Sequence, residues 1–218
     1  MNFKAAVFDL DGTLLDTLAD LAAAMNAALE GMGFAAHPTA AYRYFVGEGI
    51  EMLVRRTLPK DQADDATVAR GVQAMGEEYS RCWADQSQPY PGVAQLLDNL
   101  TAQGVALAIL SNKPEEFTQL TVDKLLPSWH FNSVSGARPD IPRKPDPAGA
   151  LLIAESLKVN PAQCLYLGDT ATDMQTANAA GMYAVGATWG FRPAAELQAN
   201  GARTLAQKPE DVLNLFNG

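Results

Sequence analysis

The sequence is poor in the residues that build disulfide frameworks and zinc sites. It contains two cysteines, Cys82 and Cys164, and two histidines, His37 and His130, among 218 residues. The cysteines lie far apart and outside any C-x-x-C pattern, so we expect two free thiols in a reducing compartment. Nothing here suggests zinc, because no His/Cys cluster is present, and we expect both histidines to be ordinary loop residues.

Positive charge is also scarce. The chain has 16 Lys and Arg residues against 25 Asp and Glu residues, which gives a formal net charge of −9, and it contains no basic run. This balance disfavours electrostatic binding to nucleic acid or to anionic membranes. It does not exclude a small anionic substrate, because such a site needs only a few well-placed cations.

Long apolar runs are absent as well, so we expect no transmembrane helix. The first apolar stretch stops at Asp9, which argues against a signal peptide and favours a cytoplasmic protein. A hydrophobic content of 48% and a charged content of 19% are those of an ordinary globular chain. The length allows one or two domains.

The strongest local pattern lies near the N-terminus. The apolar run 5–8 has the length of a short buried strand, it leads into Asp9 and Asp11, and Gly12 breaks it. Side chains at i and i+2 of an extended chain point the same way, so the two carboxylates could share one site. Buried carboxylates are costly unless a cation or a proton balances them. The same residues could instead form an ordinary acidic turn.

A helical block follows this strand. Residues 16–32, 39–46, 49–58 and 61–84 all favour helices, and none of these segments is rich in β-formers. We therefore predict that residues 16–88 form a small helical cap domain. It is inserted into an α/β domain made of residues 1–15 and 89–218.

The rest of the chain alternates between strands and helices. The sequence predicts strands at 105–110, 131–135, 164–167 and 183–187, and helices at 93–103, 115–125, 147–157, 172–180, 193–199 and 209–216. This alternation predicts a Rossmann-like α/β fold of three layers, in which helices cover both faces of a parallel sheet. Its ligand site should lie at the carboxyl ends of the strands.

Polar clusters follow several of these strands. Asp9–Thr13 comes after the first strand, Ser111–Lys113 after the second, and Gly168–Asp173 after the strand at 164–167, while Lys144 stands in a loop before a helix. Each cluster alone could be a helix cap or a solvated loop. Together at one edge of the sheet they favour a functional site with four carboxylates and two lysines.

These motifs resemble those of the haloacid dehalogenase-like phosphatases, in the branch with a helical cap that includes phosphoglycolate phosphatases. The four family motifs resemble Asp9–Leu14, Ser111–Lys113, Lys144 with the residues after it, and Gly168–Met174. The similarity covers the whole chain. It implies Mg²⁺-dependent hydrolysis of a small phosphomonoester, with 2-phosphoglycolate as the first expectation, through an aspartyl-phosphate intermediate.

The resemblance also implies a role for each residue of the core motifs. Asp9 would attack phosphorus, Asp11 would act as general acid and base, and Lys144 would screen the negative charges. Mg²⁺ suits a site made only of oxygen ligands. We expect Asp9, Asp169 and the Asp11 carbonyl to bind the metal, with Asp173 holding a metal-bound water. Phosphoryl oxygens would contact the remaining candidates, which are Gly12, Thr13, Ser111 and Asn112.

Residues that select the substrate are expected in the insertion and at its edge. The segment Gly47-Glu48-Gly49 resembles the substrate-facing loop of such caps, and the hinges would lie at 15–16 and 89–92. The carboxylate of 2-phosphoglycolate should meet a cation. Arg43, Arg55 and Arg192 are candidates that the sequence does not rank.

Several alternatives remain open at this point. A sugar-phosphate phosphatase, a nucleotide phosphatase, a pyrophosphatase or a phosphosugar mutase would use the same core. A protein of a different class, which binds a phosphorylated ligand without catalysis, would also use the same scaffold. No feature marks a subunit interface, so both a monomer and a homodimer are compatible with the sequence.

Overall fold

The apolar run before Asp9 is the central strand of the sheet in the structure, a computed structural model that describes residues 2–216. Within that range the chain forms eight strands, which are β1 (Ala5–Phe8), β2 (Leu15–Asp16), β3 (Gln88–Pro89), β4 (Ala106–Pro114), β5 (Ser133–Ala137), β6 (Cys164–Gly168), β7 (Tyr183–Ala187) and β8 (Thr204–Ala206). Six of them form one parallel sheet in the order β5-β4-β1-β6-β7-β8.

The helices connect these strands and fill the insertion. The α-helices in the described range are α1 (Leu18–Gly31), α2 (Tyr42–Phe45), α3 (Ile50–Thr57), α4 (Asp65–Cys82), α5 (Val93–Ala102), α6 (Glu115–Leu125), α7 (Ala148–Ser156), α8 (Ala171–Ala179) and α9 (Ala194–Ala199). Short 3₁₀ helices span Thr39–Ala41, Pro161–Gln163 and Pro209–Leu215. None of the helices in residues 2–216 is both long and apolar enough to cross a membrane.

Strand β1 shows why the fold has three layers. Ala6 and Phe8 pack into one hydrophobic cluster with side chains of α5 and α6, whereas Ala5 and Val7 pack into another with α7 and α8. All four side chains are fully buried, as expected for a parallel strand covered on both faces. The predicted α/β fold, with helices on both faces of a parallel sheet, is therefore confirmed.

The structure differs from the predicted elements where strands are very short or irregular. Strand β8 has three residues, too few to show a periodic pattern, and it was not predicted. Strand β4 was predicted to end at Leu110 but continues to Pro114, with irregular register between these two residues. The hydrophobic run stops at Ser111, so its pattern could not reveal this irregular continuation. Cys82 and Cys164 are free thiols, as expected.

Helices α1 to α4 pack around a hydrophobic cluster of their own, which includes Met25, Leu29 and Leu53. The chain enters and leaves this helical insertion at one place, because β2 and β3 pair antiparallel with Leu15 opposite Pro89. A side chain from the α/β part, Phe191, packs into the same cluster. These contacts support the proposed division of the chain at residues 16 and 88, which stays a prediction.

Asp20 connects the two segments that join the helical insertion to the α/β part of the chain. It lies in the first turn of α1 and its side chain is buried. Its carboxylate accepts hydrogen bonds from the backbone N–H groups of Gln86 and Ser87 and, at 2.6 Å, from the Ser87 hydroxyl. The chain returning from α4 is therefore held against the start of α1.

We expect Asp20→Ala to lower the free energy of unfolding by about 2–4 kcal/mol, because it removes the acceptor of the Gln86 N–H and of the N–H and hydroxyl of Ser87, which is buried. Urea unfolding followed by circular dichroism would measure this change. Asp98→Ala is a matched control, since it removes a single exposed hydrogen bond from Trp129, and it should cost about 1 kcal/mol or less. Equal losses in the two variants would contradict the prediction.

Candidate active site

Asp9 stands directly after β1, at the carboxyl edge of the sheet, where its backbone N–H donates to the carbonyl of Leu167 at 2.9 Å. The chain then turns at Gly12, whose φ of +87° favours glycine. A Cβ at this position would also lie 2.4 Å from Asp169 Oδ2. Glycine is therefore required both by the turn and by the close approach of the next motif.

Lys144 lies between two of the predicted carboxylates. Its ammonium is 2.8 Å from Asp9 Oδ1 and 2.7 Å from Asp173 Oδ1, and its side chain is buried. Burial lowers the pKa of Lys144, but Asp173 and Asp9 raise it to well above its usual range. Lys144 therefore stays charged and partly neutralises both acids.

Asp9, Asp169 and Asp173 each place one carboxylate oxygen within 4.8 Å of the others, and all three are buried. Burial and the charge of Asp173 raise the pKa of Asp9 to about 7, although Lys144 opposes this shift. Burial and the charges of Asp9 and Asp173 raise the pKa of Asp169 well above its usual range. This cluster has more carboxylates than cations, and its all-oxygen donor set fits a hard divalent metal ion.

Neighbouring groups fix the orientations of the Asp169 and Asp173 carboxylates. The Thr13 hydroxyl donates to Asp169 Oδ1 at 3.1 Å, and the Phe191 N–H donates to Asp169 Oδ2 at 2.7 Å. Thr170, the N-cap of α8, donates to Asp173 Oδ2 from both its N–H and its hydroxyl. The Thr13 hydroxyl, predicted to hold a phosphoryl oxygen, thus contacts Asp169 here, and its phosphate role stays a prediction.

Asp11 belongs to a second ion pair. Lys113 donates to its two carboxylate oxygens at 3.0 and 3.1 Å, and the Thr17 hydroxyl donates to Oδ1 at 2.8 Å. Burial lowers the pKa of Lys113, but Asp11 and Tyr79 raise it further, so the net shift is upward and the ammonium stays charged. The site therefore contains two lysine–aspartate pairs, one at each aspartate of the first motif.

Lys113 belongs to the second motif, but no role was predicted for it. Its i+2 spacing from Ser111 was a usable signal, since an extended chain directs such side chains to the same face. Tyr79, which contacts Lys113 at 2.7 Å, was also missed. The helical spacing of Met75 and Tyr79 is that of ordinary core residues and gave no signal.

Ser111 and Asn112 use their side chains differently. Ser111 Oγ accepts from the Lys113 N–H at 3.2 Å, and within residues 2–216 its own proton has no acceptor. The Asn112 amide bonds both the N–H and the carbonyl of Lys144, and it also donates to the Gly47 carbonyl at 3.2 Å. Asn112 thus ties the lysine loop to the insertion, whereas Ser111 has a hydrogen available for a phosphoryl oxygen.

A cavity of about 70 Å³ lies between the sheet edge and the insertion. Asp9, Asp11 and the segment 111–113 line it on the sheet side. The side chains that the insertion contributes are Leu21, Val46, Ile50, Leu53, Met75 and Tyr79. The cavity is therefore charged at one wall and apolar at the other, with the hydroxyl of Tyr79 as the exception.

The predicted selectivity residues lie in different places. Gly47 and Gly49 line the cavity, whereas Glu48 forms an ion pair with Arg56. In the described part of the chain none of the candidate arginines lines the cavity. Arg43 donates to the Gly190 carbonyl, Arg55 pairs with Glu51 and Asp65, and Arg192 donates to the Val46 carbonyl and pairs with Glu196. Their roles in selectivity stay predictions.

The sequence is similar to those of known hydrolases. The family model for haloacid dehalogenase-like hydrolases matches residues 3–181. A phosphoglycolate phosphatase of Pseudomonas putida is 37% identical over 192 residues, which cover 86% of this chain and 70% of that protein. A phosphoglycolate phosphatase of Psychrobacter arcticus is 35% identical over 201 residues, which cover 88% and 86%.

A solved structure gives the same result for the fold. The crystal structure of a protein from Lactobacillus delbrueckii subsp. bulgaricus, assigned by prediction as a phosphoglycolate phosphatase, matches with a TM-score of 0.92. The two sequences are 31% identical, and the match covers 99% of each chain. The helical insertion is therefore part of the shared architecture.

We expect the metal-free protein to lose stability as the pH rises from about 4 to about 7. The folded state holds a proton on Asp9 up to its pKa of about 7, whereas the unfolded state releases it near the usual 3.8. The contribution of Asp9 is thus present at low pH and is lost through this window, at no more than about 1.4 kcal/mol per pH unit. Asp169, whose pKa is also raised, changes stability in the same direction.

Urea unfolding in the presence of EDTA at several pH values would measure this slope. Asp9→Asn is the matched control, because the amide oxygen can still accept from Lys144 but cannot titrate. Its stability should fall less steeply over the same window. Parallel curves for the two proteins would contradict the raised pKa of Asp9.

Proposed function

Because the chain belongs to the haloacid dehalogenase-like hydrolase family, we propose that it is a Mg²⁺-dependent phosphatase whose substrate is 2-phosphoglycolate. The observation that carries the chemistry is the position of Asp9, which lines the cavity while Lys144 contacts it at 2.8 Å. The substrate assignment is supported by relatives named phosphoglycolate phosphatase that are 35–37% identical.

Mg²⁺ is the proposed metal because it prefers a small number of carboxylate ligands and retains several waters. Asp9, Asp169 and the backbone carbonyl of Asp11 would bind it directly, and Asp173 would hold a metal-bound water. When bound, the ion would supply positive charge to the attacking carboxylate and to the phosphate. The clustering of these three buried acids supports this assignment.

Asp9 is the proposed nucleophile. A carboxylate that approaches a phosphate dianion faces about 8 kcal/mol of repulsion, for two charge pairs at about 4 Å and an effective dielectric of about 20. Lys144 lies close enough to Asp9 to offset part of this repulsion. The Asp9 oxygen would form a bond to phosphorus while the bond to the substrate alcohol breaks, and Ser111 would donate to a phosphoryl oxygen.

Asp11 is the proposed general acid and base. It lines the cavity beside Asp9, and Lys113 and Thr17 hold its carboxyl group in position. It would give a proton to the departing alcohol oxygen in the first step. In the second step it would take a proton from the water that attacks the aspartyl phosphate, which releases inorganic phosphate and restores Asp9.

The insertion would exclude water and contribute to substrate selection. Its apolar side chains cover the cavity above Asp9, which strengthens electrostatic interactions inside the site. In the described part of the chain, Tyr79 is the one polar side chain that the insertion adds to the cavity, so its wall offers little to bind the base or ribose of a nucleotide. This lining favours 2-phosphoglycolate over nucleotides among the alternatives that share the same core.

The composition supports further proposals about the setting of the enzyme. We propose a cytoplasmic monomer or homodimer that acts on a free small molecule. The net charge of −9 disfavours nucleic acids and anionic membranes as partners.

The enzyme should release inorganic phosphate from 2-phosphoglycolate in the presence of Mg²⁺, and it should prefer this substrate in a panel of sugar phosphates, nucleotides and pyrophosphate. Brief incubation with ³²P-labelled substrate and acid quenching should leave label on the wild-type protein. Asp9→Asn should retain no label and should lose at least about a thousandfold in kcat, because the nucleophile is gone. Labelling of Asp9→Asn, or an isomerised phosphosugar as product, would contradict the proposal.

Asp11→Asn should reduce turnover of 2-phosphoglycolate by about 10²- to 10⁴-fold, because the alcohol then leaves without a proton. The loss should be much smaller with p-nitrophenyl phosphate, whose leaving group is stable as an anion. Steady-state kinetics with both substrates would measure the difference. Asp98→Asn, which is exposed and lies outside the cavity wall, serves as the control and should leave both rates near those of the wild type. Full turnover of 2-phosphoglycolate by Asp11→Asn would exclude the acid role.

A further inference from the structure

The roles proposed for the catalytic residues do not account for how the carboxylate of 2-phosphoglycolate is bound. This inference therefore rests on the proposed function. A carboxylate that enters the cavity loses water, and a buried charge without a partner is strongly unfavourable. Most of the wall provided by the insertion is apolar and offers no such partner. Some polar group near the cavity must therefore receive the carboxylate.

Lys113 and Tyr79 are placed to do this. Both line the cavity, and among the Lys and Arg residues of the described chain only Lys113 does so. The Lys113 ammonium donates to the Tyr79 hydroxyl oxygen at 2.7 Å and lies 4.8 Å from the centre of its ring. The cation of the sheet edge and the hydroxyl of the insertion thus form one polar group where the charged wall meets the apolar wall.

The hydroxyl of Tyr79 has a hydrogen available. Its oxygen accepts the bond from Lys113, and within residues 2–216 no acceptor receives its own proton. Burial is the main cause that raises the pKa of Tyr79, so the phenol keeps this proton at neutral pH. The ring is buried and contacts Phe117 edge-on at 5.2 Å, which holds the hydroxyl in place.

The arginines suggested by the sequence are less suitable. Arg55 is paired with two acidic residues, and Arg43 donates to the Gly190 carbonyl. Arg192 donates to the carbonyl of Val46, a residue of the cavity wall, and within residues 2–216 its Nη1 has no partner, but its side chain does not line the cavity. Lys113 also pairs with an acid, Asp11, but Tyr79, which it contacts, lines the cavity and has a hydrogen to donate.

We propose that Tyr79 donates a hydrogen bond to the carboxylate of the substrate's leaving group, while the Lys113 ammonium supplies the balancing positive charge. Tyr79 belongs to the insertion and Lys113 to the sheet edge, so the carboxylate is recognised where both are in contact. Lys113 also contacts Asp11, the proposed proton donor for the ester oxygen. A leaving group with two carbons is short enough to place its carboxylate and its ester oxygen beside these neighbouring groups.

Tyr79→Phe tests this pair, because it removes the hydroxyl and keeps the ring. The kcat/KM for 2-phosphoglycolate should fall about ten- to a hundredfold, the usual effect of losing a hydrogen bond to a charged group. The kcat/KM for ethyl phosphate, which has a methyl group in place of the carboxylate, should stay within about threefold. The measured quantity is therefore the ratio of the two kcat/KM values.

Tyr42→Phe is the matched control. Tyr42 is buried in the same hydrophobic cluster as Tyr79, and its hydroxyl donates to Asn26 at 2.6 Å, but it does not line the cavity. This variant should not change the ratio between the two substrates. Thermal unfolding of both variants would show that each is folded under the assay conditions.

A second measurement needs no variant. Glycolate should inhibit ethyl phosphate hydrolysis by the wild-type enzyme at least about tenfold more strongly than glycolamide, its neutral amide. Equal inhibition by the two compounds would overturn the inference.

These measurements distinguish a wrong substrate from a wrong role for Tyr79. A wild-type enzyme with no preference for 2-phosphoglycolate over ethyl phosphate would overturn the proposed substrate and this inference with it. A wild-type preference that Tyr79→Phe retains would overturn only the role of Tyr79. An equal loss on both substrates would show that Tyr79 acts through the structure of the site and would also overturn the inference.

Discussion

The site depends on an excess of buried carboxylates at one edge of the sheet. Asp9, Asp169 and Asp173 lie close together, and within the described chain Lys144 contacts two of them. Ionised carboxylates without balancing charge would destabilise this edge, and the raised pKa values of Asp9 and Asp169 reflect that constraint. The glycine turn, the N-cap of α8 and the extended run of β4 all serve to hold these charges at fixed positions.

The two aspartates of the first motif pair with different lysines. Asp9 contacts Lys144 and belongs to the acid cluster, whereas Asp11 contacts Lys113 and Thr17. Two carboxylates that are two residues apart thus have different partners and different surroundings. Differences of this kind allow two neighbouring carboxylates to take different roles.

Sheet geometry explains how much of this arrangement could be predicted. It was predictable that Asp9, Asp169 and Lys144 lie close together. Two of them follow strands and one stands in a loop at the same edge of the sheet, which a sequence pattern can reveal. Strands β2 and β8 were missed because two or three residues are too few to show alternation. The contact between Lys113 and Tyr79 was not predictable. It joins elements from separate parts of the chain, and the tyrosine has the spacing of a core residue.

The central position of β1 has a consequence for folding. Its neighbours on either side are β4 and β6, so residues 5–8 pair with residues 106–109 and 164–167. Such distant pairings raise the contact order, which slows folding, because long loops must close before these contacts form. On a ribosome, Asp9 emerges long before residue 167, and its strand lacks one neighbour until the chain has grown beyond that residue. The carboxylate proposed as the nucleophile is therefore synthesised well before the strand that completes its folded surroundings.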